Sequence, residues 1–79
     1  MSAWTVVTEH LGGTSRVPAE SPEEAATLYG ATVEAWALDD RFTSAHIEGP
    51  DGQRFVPTVV RHGFGVTDYN LPLVALGSP

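Results

Sequence analysis

The sequence reads as one α+β domain over residues 1–79: a single amphipathic helix packed on a mostly antiparallel sheet of four or five strands, in the order ββαββ. Three observations predict it. Ser21-Pro22-Glu23-Glu24 is a capped helix start, and a stretch of helical periodicity follows it. Segments rich in β-branched and aromatic residues lie on both sides of that stretch. Within each flank a glycine-containing turn, Gly12-Gly13 or Gly49-Pro50-Asp51-Gly52, divides two strand-like segments.

The first strand is expected over Ala3 to Glu9. Gly12-Gly13 can take the positive φ that a tight hairpin needs, so Thr14 to Ala19 runs back beside it, with Pro18 marking an edge or an end. At the helix start, Ser21 caps, Pro22 suits the first helical position, and Glu24 reaches back to the Ser21 amide. Glu20, Glu23 and Glu24 lie where the helix dipole favours negative charge. Advancing about 100° per residue gathers Ala25, Leu28, Tyr29, Thr32, Val33 and Trp36 as the core face. Glu23, Thr27, Gly30, Ala31 and Glu34 fall on the opposite, solvent-facing side. The pattern fades near Leu38, and Asp39-Asp40 is unfavourable at a helix C-terminus, so the helix is expected to end there.

The clearest turn comes next. Pro50 and Asp51 fit the centre of a type I turn, and Gly52 the left-handed position after it, joining Thr43–Glu48 to Gln53–Val60. With Gly49 opposite Gln53, Glu48 faces Arg54, Ile47 faces Phe55, His46 faces Val56 and Ala45 faces Pro57. Ala45, Ile47 and Phe55 then point inward, while Glu48 and Arg54 form an exposed cross-strand pair. Pro57 has no amide to donate, which predicts a bulge or an edge at that point. His62-Gly63-Phe64-Gly65 is a loop, and Tyr69 to Leu76 is a last strand interrupted by Pro72.

Composition narrows the function. Ten acids face four bases, all arginine (Arg16, Arg41, Arg54 and Arg61), for a net charge of −6. Direct nucleic-acid binding needs clustered positive charge and is not expected. Acidity serves solubility, and it also suits a partner with a basic surface. Cysteine is absent, which rules out disulfides and thiolate metal sites and is compatible with a cytoplasmic location. No apolar run is long enough to span a membrane, and Met1-Ser2 leads directly into Trp4-Thr5-Val6-Val7 without a basic region, so no signal peptide is expected. Lysine is absent while Ala, Val, Gly and Arg are well used, as in GC-rich bacterial or phage coding sequences.

Catalytic constellations are missing. No serine sits in a nucleophile elbow, and Ser21 is accounted for as a cap. His10, His46 and His62 lie off the helix without metal-ligand spacing, so no metal or other cofactor is expected, and His46 is read as an outward-facing strand residue. Gly63-Phe64-Gly65 has G-x-G spacing, but no helix follows to bind phosphate. Its glycines let Phe64 turn either into the core or outward as an anchor for a partner. The small residues Thr27, Gly30 and Ala31, rimmed by Glu23 and Glu34 with Asp39 and Asp40 beyond, form an acid-edged helix face that a basic surface can approach closely.

The layout of a hairpin, an acidic-start helix and a second hairpin resembles that of small phage-encoded anti-CRISPR inhibitors, in size, charge and element order. The resemblance implies a stoichiometric, non-enzymatic mechanism in which an acidic surface occupies an arginine- and lysine-rich nucleic-acid channel on a protein partner. Glu23, Glu34, Asp39 and Asp40 are the expected contacts. Three alternatives stand beside it: a cellular adaptor acting through a sheet edge or the Phe64 loop, a metal- or small-ligand-binding protein, and a homodimer through an exposed edge strand.

Overall fold

Pairing of backbone groups sets the architecture. The computed structural model describes residues 3–77. Strands β1 (Trp4–His10) and β2 (Gly13–Ala19) form the first hairpin, and helix α1 (Pro22–Trp36) follows. Strands β3 (Phe42–Glu48) and β4 (Arg54–Arg61) form the second hairpin, and a short 3-10 turn over Gly63–Gly65 leads into β5 (Thr67–Ala75). The five strands make one sheet in the order β2-β1-β3-β4-β5, antiparallel at every junction. The predicted α+β class and ββαββ order hold, and the last segment adds the fifth strand.

Local chemistry explains the turns and the helix start. Gly12 and Gly13 have φ of 109° and 150°, the positive values that the first turn requires. In the second turn Gly52 donates to the Gly49 carbonyl at 3.0 Å and has a φ of 78°. At the helix N-terminus the Glu24 amide donates to Ser21 Oγ at 3.0 Å. The Glu24 carboxylate in turn accepts from the Glu20 amide at 3.4 Å, one residue before the expected partner. The helix closes at Trp36, two residues before the fade of the pattern at Leu38.

The core lies between α1 and one face of the sheet. Val6, Ala19, Ala25 and Ile47 are buried at its centre, with Trp4, Leu28, Tyr29, Phe55 and Leu73 packed around them. Gly49 makes this closeness possible, because a Cβ there would lie 2.9 Å from the Phe55 ring and 3.2 Å from Trp4. At the far end of the helix Trp36 stacks on His10, with centroids 4.8 Å apart, and the Arg41 guanidinium lies 5.6 Å from the same ring.

Four expectations are corrected. Gly30 is buried rather than solvent-facing: a Cβ there would lie 2.8 Å from Tyr69 Cδ2, so β5 crosses the helix at this position. The rest of the side that the helical wheel assigned to solvent, Glu23, Thr27, Ala31 and Glu34, is exposed as expected, and β5 covers only its edge at Gly30. Glu48 pairs with Arg16 of β2 at 2.8 Å rather than with Arg54, because Arg16 reaches it across β1 on the face away from the helix. The β3–β4 register begins as expected, Glu48 against Arg54 and Ile47 against Phe55, but stops after those two pairs. Pro57 offers no amide at the level where Ala45 would need one, and β4 continues paired to β5 alone. Finally, His46 lies on the face away from the helix yet is only 6% exposed, with Nε2 3.5 Å from Glu48 Oε2.

Candidate functional site

The end of the molecule that carries the helix C-terminus and the β4–β5 turn gathers the groups most able to meet another molecule. Arg61 and Thr67 are the last paired residues of the two strands, and the His62 amide closes the loop on the Val66 carbonyl at 2.8 Å. Phe64 and Gly65 both take left-handed backbone, with φ of 63° and 78°. This is natural for glycine and strained for phenylalanine. The reversal turns the Phe64 ring outward, where it is fully exposed. Of its two expected orientations, the outward one is observed.

Between this turn and the helix lies an open cleft of about 450 Å³, with Tyr29 and Val33 on the helix side and Val59, Arg61, Val66 and Tyr69 on the hairpin side. A neighbouring depression of about 440 Å³ takes in Glu34 and Ala37 next to Gly65 and Val66. Beyond Ala37, Leu38 is 99% exposed. Apolar side chains are therefore presented to solvent from both the helix end and the turn.

Polar groups around the cleft are specifically arranged. His62 Nε2 lies 2.7 Å from Asp68 Oδ2, both side chains being about half exposed. The rings of Tyr29 and Tyr69 lie 5.6 Å apart at 59°. Burial, and secondarily the neighbouring Tyr69, push the Tyr29 phenol above its usual pKa, so it is a neutral donor at physiological pH.

The acidic residues singled out in the sequence are distributed unevenly. Glu34 is exposed beside the turn. Glu23 is exposed in the first helical turn, about 16 Å away along the helix axis, and lines a separate depression with Thr27, Asn70 and Leu71. Asp39 is engaged within the chain: both carboxylate oxygens accept from the Arg41 guanidinium, at 3.1 and 2.9 Å, and Oδ1 also accepts from the Arg41 amide at 2.9 Å. Those hydrogen bonds hold its pKa at about 2, below the usual carboxylate range. Asp40 is exposed. On the expected acid-edged face, Glu23, Thr27, Ala31 and Glu34 are exposed, whereas Gly30 is buried under Tyr69 and drops out of it.

Among the described residues, no three of His, Cys, Asp and Glu gather where they could hold a metal ion. No described helix is long and apolar enough to cross a membrane. The sequence gives no sign of the cleft, because its walls meet only through the β4–β5 register and the crossing of β5 over Gly30. The sole local signal is the Gly63-Phe64-Gly65 triplet, which marks the turn without indicating the tyrosine pair beneath it. Comparison of the chain with family models, curated proteins and solved structures finds no match in any of the three.

Proposed function

We propose that this chain is a small, acidic, non-enzymatic domain that acts by binding a protein, and that it inhibits its partner by occupying a basic nucleic-acid-binding surface. The observation that carries the reading is Phe64. Folding favours burial of a phenyl ring, so a ring held fully in solvent on strained backbone is the natural candidate for an interface anchor. Val66 extends the apolar contact, and Glu34, which borders the same turn, supplies negative charge at its edge; Leu38 and Asp40 are exposed beyond the helix end. Asp39 contributes less than its position in the sequence implies, because Arg41 already holds it, and Glu23 lies at the far end of the helix. The net charge of −6 supports a basic partner, since long-range attraction raises the association rate.

The test is affinity capture of the partner from the native host with the intact chain, repeated with Phe64→Ala. The variant is expected to bind at least about thirtyfold more weakly, as for an anchor residue. Glu34→Lys is expected to slow association and to weaken its salt dependence. The captured protein should lose nucleic-acid binding in proportion to bound chain. Retained nucleic-acid binding would instead favour an adaptor that uses the same Phe64 contact. Unchanged capture by Phe64→Ala would overturn the reading altogether.

A further inference from the structure

The cleft beside the Phe64 turn is a second feature, independent of the exposed ring. We propose that it binds a small organic carboxylate with an apolar body, the carboxylate on Arg61 and the body against Val33, Val59 and Val66, beside the packed rings of Tyr29 and Tyr69.

Size, donors and walls carry the inference. A volume of about 450 Å³ lies within the range that holds small ligands. Arg61 has no ion-pair partner among the described residues, although the chain carries ten acids to four bases. The nearby acids are placed elsewhere: Asp68 is bonded to His62, and Glu34 borders the neighbouring depression. The Tyr29 and Tyr69 hydroxyls likewise make no hydrogen bond among the described residues. The cleft thus presents a guanidinium, which can only donate, together with two phenols that can donate, and a planar carboxylate matches that set. Val33, Val59 and Val66 supply apolar wall for the rest of the ligand. Tyr69 is held in place from behind by Gly30, so one side of the cleft exists before any ligand arrives.

The test is a titration of the intact chain with 3-phenylpropionate, followed by backbone-amide nuclear magnetic resonance, with 3-phenylpropan-1-ol as the uncharged control. No protein partner is present, so the outcome is separate from that of the protein-binding reading. Saturable shifts are expected at Gly65, Val66 and Thr67 and at Tyr29 and Val33. Affinity should fall at least about tenfold for the alcohol, and by a similar factor for the acid with Arg61→Gln. Absence of saturation up to about 10 mM acid would overturn the proposal, since even a weak fragment site fills by then. Equal affinity of acid and alcohol for the native chain would also overturn it, and that comparison does not depend on any variant folding.

Discussion

Asp39 and Phe64 differ in how much of their behaviour is local. Asp39 meets its partner two residues away, and the Asp39–Arg41 contact needs little more than the chain leaving a helix. Its folded pKa is depressed to about 2, so its contribution to stability is complete above the unfolded value near 4 and is lost as pH falls through about 2. Asp39→Asn is therefore expected to melt below the native chain at pH 7, with the gap closing by about pH 2. Thermal melts across that range check it, and a gap independent of pH would show that the ion pair contributes nothing. Phe64 is the opposite case. The flanking glycines announce a turn, but whether the ring goes in or out depends on the left-handed backbone that the β4–β5 register imposes at that residue. No local propensity encodes that choice.

At the scale of the element, α1 was the most legible part of the chain, and it was also where the sequence misled. Its cap, its start and the Ala25, Leu28, Tyr29 side are where periodicity places them. Gly30 is not, because Tyr69 of β5 rests against the helix at the edge of the core face, and a small residue reads the same whether solvent or a tyrosine lies over it. Gly30→Ala separates the two. On an exposed face the change would stabilise the helix by up to about 1 kcal/mol. With the added Cβ 2.8 Å from Tyr69 Cδ2, crowding should outweigh that gain, for a net loss of about 1 kcal/mol and a melting point about 4–8 °C lower. In a Tyr69→Ala background the same change should become stabilising. A stabilised single variant would mean that Tyr69 does not rest on the helix.

Across the whole sheet the backbone pairing is uneven, although one core under α1 spans it. β1 is paired along its length to β2 on one side and to β3 on the other, whereas β3 meets β4 through only two residue pairs. Opening of the β4–β5 hairpin need not disturb β1. Amide exchange is therefore expected to be slowest at Val6, Val7 and Ile47 and clearly faster along β5. Equal protection of β5 and β1 would mean that the sheet opens as one unit. Element order, turn chemistry and the helix cap were determined by the sequence alone, because each depends on residues close together in the chain: a serine three residues before an acid, or a glycine where φ must be positive. The halt of the β3–β4 ladder at Pro57 was partly legible, since a missing donor is visible in any reading. The position of the fifth strand over Gly30, the turning out of Phe64, the Arg16–Glu48 bridge and the tyrosine-lined cleft were decided only by tertiary structure. Each brings together groups from separate segments, and which of them meet is settled when the sheet and helix bury their apolar faces as a unit.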